Sequence, residues 1–563
     1  MSAIPTPAVV AQAAVRRLPR WALLLLCLAY VLPGFIGREP WKNQDMTSFG
    51  IMRELAIGES SWWAPRLMEQ VLEIPALLPY WLGAWAVQLC PSWLPIDVAV
   101  RIPFGFLLAL TLVATWYGVY YLARLPAAQP VAFAFGGEAQ PTDYARALAD
   151  GGLLAMIAML GLAQLSHETT PALAQLAFSA LLFFAIAASI HHPGLAASSA
   201  MVASLGLALS GVPAFGLSMA LAAAVVRLLH ADAHARRWAL YFALLGLGAA
   251  ALAHALGLWY AQAGVLPASL LAWRNWARML LWFTWPAWPL ALVALWKWRA
   301  WWRSLHIALP AAIALVIIVA TLIAPNADRT LLLATPMLAC LAAFALPTLQ
   351  RSVTSLIDWF TLLFFSGCGL VIWVVWIAMQ TGVPAQPAAN VRRLFPGFEP
   401  AFGWLAFLAA LAATLAWVWL VKWRAGRHRA ALWKSLVLPA GGAAMSWLLL
   451  MTLWMPLLNF ARSYAPLVSQ VAQYMGPQHC VHTYGLTQGQ VAAFAFHGKL
   501  QLRALQASPL CPWLIVDADA GAKVSSAVDM SAWQLRTTIR RPSDNDENVL
   551  LFARIAPAVS AKP

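Results

Sequence analysis

The sequence predicts an α-helical polytopic membrane protein, about thirteen transmembrane helices followed by a small soluble α/β domain. Three observations carry that prediction. The chain of 563 residues is 62% hydrophobic and only 10% charged, too little polar surface to cover a water-soluble globule of that size. Apolar runs near the ~20 residues needed to cross a bilayer recur as far as residue 457. The basic residues fall in short clusters between these runs, so the formal net charge of +15 reports membrane topology and calls for no nucleic-acid partner.

Arg16, Arg17 and Arg20 precede an apolar stretch that reaches Ile36, as in a signal peptide. No small-residue cleavage site follows and many further runs do, so this is an uncleaved first helix with a cytoplasmic N-terminus. The predicted spans are approximately 20–36, 102–123, 151–165, 172–190, 195–210, 213–229, 238–261, 277–297, 305–323, 329–347, 354–379, 401–421 and 434–457. Counted from the inside, the cytoplasmic loops become 124–146, 227–237, 297–303, the stretch around Arg351 and 422–434, which collect nearly every strongly basic cluster. The stretch 76–90 is short and Pro-flanked. Counted as a span it would invert every later loop, so it is read as a juxtamembrane or re-entrant helix. Many of the 31 tryptophans flank the runs (Trp296, Trp298, Trp301, Trp302, Trp423), where amphipathic rings anchor at the membrane interface.

The same count puts three features on the outer face: the loop 37–101, the turn at His167 and Glu168, and the tail. The division is therefore 1–457 as the membrane part and 458–563 as an outer soluble domain. In the tail, 491–496, 513–516 and 549–552 read as strands between Gly, Pro and Asp signals. Cys480 and Cys511 are its only two cysteines. In an oxidising compartment they pair as a disulfide that staples a small domain; two buried thiols are the alternative. No Cys/His spacing resembles a structural zinc site.

The outer loop holds the densest collection of charge, including Lys42, Asp45, Arg53, Arg66 and Glu73, and is where substrate contacts are sought. Residues 46–57 suit an amphipathic helix with Asp45 just before it, in the position of a cap, and a cap is the plain reading of Asp45. His167 and Glu168 end the third span on the same face, where an ionisable pair either meets substrate or simply meets water. Arg274 and Arg278, four residues apart and therefore on one helical face, break the positive-inside pattern. They are candidates for phosphate, with snorkelling interfacial arginines as the alternative. Asp328 and Arg329, between spans nine and ten, read as a structural pair with a weaker claim on substrate.

The stretch GREPWKNQDMTSFGIMRELAIGESSWWAPRLMEQVLEIPALLPYWLGA, residues 37–84, resembles the first periplasmic loop of the lipid A aminoarabinose transferases and their relatives the protein O-mannosyltransferases, glycosyltransferases of the C-type membrane fold (GT-C). Asp45 falls on the first acid of the family's Asp-Glu pair. Residues 58–62 with Pro65 fall on its Gly-Asp-Trp-like turn, and Leu72, Glu73, Pro75 and 77–81 on its Leu-Glu-Lys-Pro-Pro-Leu motif. The resemblance is specific over these residues and architectural elsewhere. It implies transfer of a sugar from a polyprenyl-phosphate donor to a lipid or protein acceptor, in a bacterial inner membrane with the C-terminal domain periplasmic, by a monomer surrounded by membrane lipids. Three departures stand out: Met46 replaces the second acid, Ile74 replaces a carrier-binding lysine, and Gly211 stands where the family often has another lysine.

This transfer needs an anionic leaving group stabilised by cations or a metal, and an acceptor activated for in-line attack. The expected roles are Asp45 as general base or acceptor-orienting group, Glu73 in sugar or cation binding with a salt-bridged structural acid as the alternative, Lys42 in substrate binding, and Arg53 or Arg66 as the cation for phosphate, which a guanidinium contacts bidentately. No cofactor is demanded; a divalent cation at Asp45 and Glu73 is compatible with the residues. Two other classes compete. A flippase for lipid-linked sugars predicts inverted repeats and midplane ionisable residues, whereas these spans are nearly free of charge. A non-catalytic homologue that binds carrier without turnover is favoured by the missing lysines.

Overall fold

A computed structural model of the chain describes residues 5–68, 70–230, 234–259, 266–425, 431–476, 480–505 and 510–555. Each predicted span coincides with a helix or a broken pair of helices, and six helices are long and apolar enough to cross a membrane on that measure alone: Ile96–Ala123, Pro171–Ala188, Ala235–Ala255, Arg351–Thr381, Trp404–Arg424 and Lys434–Leu453. Four helices, Pro141–Ala158, Pro171–Ala188, Pro193–Leu209 and Pro213–Leu229, begin on proline, which suits a first helical turn because its missing N–H has no partner there anyway. Pro171–Ala188 is the centre of the bundle, 94% buried, whereas Trp404–Arg424 is 11% buried and turns its side chains to lipid.

Several boundaries differ from the sequence reading. The span placed at 151–165 starts ten residues earlier, as Pro141–Ala158, so the end of the 124–146 loop is already helical; a separate turn, Leu162–Leu165, follows it. The span at 277–297 is two helices, Leu270–Phe283 and Ala287–Lys297, bent by 86°. Pro286 removes a helical N–H at that break. The span at 329–347 is likewise divided, into Ala327–Leu332 and Thr335–Ala345. The span at 434–457 divides into Lys434–Leu453 and Met455–Arg462. The last two residues of 238–261 lie outside the described residues. The stretch 76–90 forms Leu78–Gln88, an 11-residue helix too short to cross.

Contacts group the loops into two sets. Thr169 donates to Asp45, Arg329 pairs with Glu168, and Lys42 pairs with Asp544, so the first loop, the turn after Leu165, the turn before Leu332 and the tail share one side. At the other end Gln12 meets Gly137, Arg17 meets Asp143 and Trp433 donates to the Arg16 carbonyl, which joins the N-terminal segment to two of the basic loops.

The tail folds as a five-stranded sheet: β1 (Cys480–Tyr484), β2 (Gln501–Arg503), β3 (Trp513–Asp517), β4 (Trp533–Arg541) and β5 (Asp544–Arg554), in the order β2-β1-β3-β5-β4. β1 pairs in parallel with β2 and β3, while β5 pairs antiparallel with β3 and β4. Residues 491–496 are a helix, not the expected strand: they belong to Gln488–Phe496, whose Thr487 and Gln490 form a reciprocal capping box. That helix is also the crossover that parallel β1 and β2 require. Cys480 and Cys511 form a disulfide.

The helix Gln44–Ile57 of the first loop lies on this domain. A Cβ at Gly50 would sit 2.5 Å from the Ala492 Cβ, a close approach that only glycine permits. Phe49 packs edge-on to Phe496 at 4.6 Å, and Gln488 Nε2 donates to the Val71 carbonyl at 2.6 Å. The tail thereby packs against the first loop, behind the helix that carries Gln44 and Asp45.

Candidate active site

The helix Gln44–Ile57 ends on Gly58, whose φ of +82° suits glycine, and turns the loop back toward 73–77. Asp45 lies in its first turn, two residues past the N-cap Asn43 and not at the cap itself, and is 2% exposed. Its Oδ2 accepts from Arg38 Nη2 and the Trp41 N–H, both at 3.1 Å, and its Oδ1 accepts from the Thr169 N–H and Oγ1, both at 2.7 Å. Burial opposes ionisation of this carboxyl, but Arg38, Arg101 and the Thr169 and Trp41 hydrogen bonds outweigh it and hold its pKa below the usual range. Four donors thus occupy the acceptor directions of the Asp45 carboxylate.

Asp45 organises its surroundings. Arg38, 1% exposed, also donates to the His167 carbonyl at 3.1 Å, stacks over Trp41 at 3.9 Å and receives a hydrogen bond on its own carbonyl from Arg101. Thr170, next to the Thr169 held by Asp45, accepts from Arg329 Nη1 at 3.1 Å. Arg329 Nη2 lies 2.6 Å from Glu168 Oε2, and Arg38 Nη2 lies 3.9 Å from Glu168 Oε1. Asp45, Arg38, Glu168 and Arg329 thus form one chain of charges that aims Arg329.

Arg329 reaches a cavity of about 630 Å³ between the outer helix ends. Its polar wall carries Gln44, Glu73, Gln175, Asn326 and Arg329; its apolar wall is built by Pro213, Phe215, Trp259, Val316, Ala320 and Ile323. Gln175 Nε2 donates to the Ser210 carbonyl at 2.8 Å, fixing the turn before Pro213. Gln44 Oε1 is buried without a hydrogen-bond partner, an acceptor facing a site with nothing to accept from. Ile74 and Gly211 also line the cavity and are neighbours: a Cβ at Gly211 would lie 3.3 Å from Ile74 Cγ2 and 2.8 Å from the Pro75 carbonyl oxygen. The two positions at which the sequence resemblance expects lysines therefore face one site, and both are uncharged.

Of the residues proposed from sequence, the structure brings Glu73 onto the cavity wall and Glu168 directly behind it through Arg329. Lys42 is turned toward the tail, 2.6 Å from Asp544 and 3.5 Å from Glu547. Arg53 is half-buried, Arg66 is exposed, and neither lines the cavity. His167 is packed beneath the site among Tyr30, Phe35 and Trp447, with its ring nitrogens on the Ala163 and Tyr30 carbonyls. Arg274 and Arg278 are exposed on Leu270–Phe283, outside the cavity lining. Arg329 pairs with Glu168, while Asp328 accepts only from the Arg329 backbone N–H. Sequence reading missed Gln44, Gln175 and Asn326. Gln175 is a lone amide in an apolar helix, which was a readable signal; Gln44 and Asn326 were masked by ordinary loop composition. Among the described residues no three His, Cys, Asp or Glu side chains converge as a metal site.

No protein-family profile and no curated protein sequence matches the chain. Among solved structures it is similar to the crystal structure of ArnT from Cupriavidus metallidurans bound to undecaprenyl phosphate, with a TM-score of 0.64 and 13% identity over 97% of this chain and 99% of that one. It is similar also to ArnT from Cupriavidus metallidurans in the apo state, with a TM-score of 0.59 and 13% identity over 95% of this chain and 98% of that one. The likeness shows the fold: a helical membrane architecture with a small C-terminal sheet.

Proposed function

We propose that this chain transfers a sugar from a polyprenyl-phosphate carrier to an acceptor at the outer face of a bacterial inner membrane. The observation that carries the reading is the cavity, whose polar wall of Gln44, Glu73, Asn326 and Arg329 adjoins an apolar wall from Phe215 to Ile323. A sugar phosphate on an isoprenoid tail has this division of polarity. The fold supports the same donor class, since a solved structure of this fold is described as bound to undecaprenyl phosphate.

In this reading Arg329 contacts the donor phosphate, and Glu168 and Thr170 hold its guanidinium in place. Gln44 and Asn326 orient sugar hydroxyls. The acceptor oxygen attacks the anomeric carbon with inversion as the bond to the phosphate oxygen breaks. The electron pair leaves with the polyprenyl phosphate, and the acceptor proton passes to the exposed Glu73 carboxylate. Asp45 is a positioning residue that ties Gln44 to the Thr169–Thr170 turn. A divalent cation bound with the phosphate would find hard oxygen donors in Glu73, Gln44 and Asn326. The acceptor is a glycolipid such as lipid A, or a protein, that reaches the cavity mouth. The protein acts as a monomer, with its N-terminus cytoplasmic and its C-terminal domain periplasmic.

One observation favours a second reading, binding of carrier without turnover: the uncharged pair Ile74 and Gly211 in the phosphate-facing wall. Mass spectrometry of glycolipids and glycoproteins from the native host separates the two, using wild type, a deletion strain and Glu73→Gln. A glycan present with wild type and lost in both other strains supports transfer. Identical profiles in all three, together with retained undecaprenyl-phosphate binding by the purified protein, establish the second reading.

A further inference from the structure

One face of the tail sheet is covered by the helix Ala465–Met475. Val468 and Val471 of that helix belong to the same buried cluster as Val481, Ile515, Ile539 and Leu551. The helix stops at Met475, and Gly476, with φ of +65°, carries the chain away. At the end of the β3–β5 pair Trp513 stands opposite Ala553, and Tyr474, in the last turn of that helix, lies beside them. A cavity of about 460 Å³ occupies this place, lined by Tyr474, Pro512, Trp513, Arg536, Ala553 and Arg554.

Three features of this cavity have no use in the packing of the domain. The ladder runs from Leu535 opposite Phe552 to Thr537 opposite Leu551, so Arg536 is the extra residue of a bulge on an edge strand. Bulges re-aim side chains, and here the re-aimed group lines the cavity beside Arg554. Neither Arg536 nor Arg554 has a side-chain hydrogen bond or ion pair among the described residues, and no acidic residue lines the cavity. The Trp513 Nε1–H is buried yet has no acceptor. Two solvated arginines by themselves protect an edge strand. They do not account for a shielded indole N–H at the same spot, which costs free energy until something accepts from it.

We propose that this cavity is a binding site for an anionic saccharide, a sugar carrying a phosphate group. The two guanidiniums neutralise and hydrogen-bond the phosphate. The Trp513 N–H donates to a phosphate or hydroxyl oxygen, and the Trp513 and Tyr474 rings with Pro512 and Ala553 give the sugar its apolar contact. The site stands apart from the transmembrane cavity and does not depend on the transfer reaction. Its ligand is either the headgroup of a phosphorylated glycolipid or a soluble sugar phosphate.

The test uses the full-length protein in phosphatidylcholine nanodiscs with Arg329→Met in the background, so that the transmembrane cavity does not supply the signal. Glucose 1-phosphate, glucose and inorganic phosphate are titrated calorimetrically. Glucose 1-phosphate is expected to bind at least about tenfold more tightly than either fragment. The Arg536→Gln/Arg554→Gln variant is expected to weaken it by at least about tenfold, the effect of one lost charge-assisted hydrogen bond. Trp513→Phe, which keeps the ring, is expected to weaken it by a smaller factor. Both arginines are exposed, so their replacement leaves the core and the Cys480–Cys511 disulfide intact. Flotation with vesicles containing lipid A then separates the sources: co-flotation that requires the two arginines identifies a lipid headgroup, and its absence alongside calorimetric binding identifies a soluble ligand. No binding of glucose 1-phosphate, equal binding by the double variant, or inorganic phosphate binding as tightly as the sugar phosphate overturns the proposal.

Discussion

Replacing Arg329 by methionine separates its two roles, because its guanidinium lines the cavity while its Nη2 pairs with Glu168 at 2.6 Å. The pair is well shielded, with side chains 17% and 6% exposed, so solvent screening is modest. Removing one partner of a buried pair costs about 3–5 kcal/mol when the other is left alone. Glu168 keeps an interaction with Gln164 at 3.3 Å and Arg38 at 3.9 Å, which lowers the expected loss of stability to roughly 1–3 kcal/mol. Loss of a charge-assisted contact to phosphate adds about 1.5–3 kcal/mol to carrier binding, a weakening of roughly tenfold to one-hundredfold. The second substitution Glu168→Gln discharges the orphaned carboxylate. The double variant is therefore expected to regain most of the thermal stability lost by Arg329→Met while its affinity for undecaprenyl phosphate stays low. Unfolding followed by tryptophan fluorescence reads the first quantity, and calorimetric titration in nanodiscs reads the second. Affinity that recovers together with stability would show that Arg329 acts only through the integrity of the fold, and the donor-phosphate assignment would fall.

The neutral wall at Ile74 and Gly211 makes a paired prediction. Ile74→Lys is expected to strengthen undecaprenyl-phosphate binding by about tenfold through one new charged contact, whereas Gly211→Ala is expected to destabilise by at least about 1–2 kcal/mol because residue 211 has positive φ; calorimetry and thermal unfolding check the two. Glu54 is 8% exposed, and burial pushes its carboxyl from 4.5 up to about 7. The folded state then holds a proton the unfolded chain releases, so this contribution is present below about pH 4.5 and is lost as pH rises to about 7. Glu54→Gln should flatten that slope and raise stability at pH 8 by about 1–3 kcal/mol; melting curves of equal slope for both proteins across this range would refute the assignment. The Cys480–Cys511 disulfide closes 31 residues, and Cys480→Ala/Cys511→Ala is expected to cost the tail about 3–4 kcal/mol in the chain-entropy treatment. Limited proteolysis after Met475 should then accelerate, and an unchanged digestion rate would show that packing against Gln44–Ile57 alone holds the domain.

What was legible in the sequence follows from signals that are local. Twenty-residue apolar runs and basic clusters on alternate loops each act through a short stretch of chain; the runs marked the helices, and the shortness of 76–90 marked the helix Leu78–Gln88 within it. Where local signals conflict, the reading failed. Residues 491–496 are a short apolar run that reads as a strand, yet the Thr487–Gln490 cap and the parallel pairing of β1 with β2 make them a helix. The apolar run at 277–297 conceals a sharp bend.

The site divided in the same way. Loop composition drew attention to Asp45 and Glu73, and the family resemblance singled out the departures at Ile74 and Gly211, because residue types and motif spacing are written in the chain. Their roles were decided by tertiary structure alone. Asp45 is closed by donors from Arg38, Trp41 and Thr169, and Lys42 is drawn to Asp544, 502 residues away. Arg329 reaches the cavity because Glu168 and Thr170 hold it there. The electrostatics of a carboxylate or guanidinium depends on what lies within a few ångströms of it, and in a bundle of this length those neighbours come from distant parts of the chain that only folding brings together.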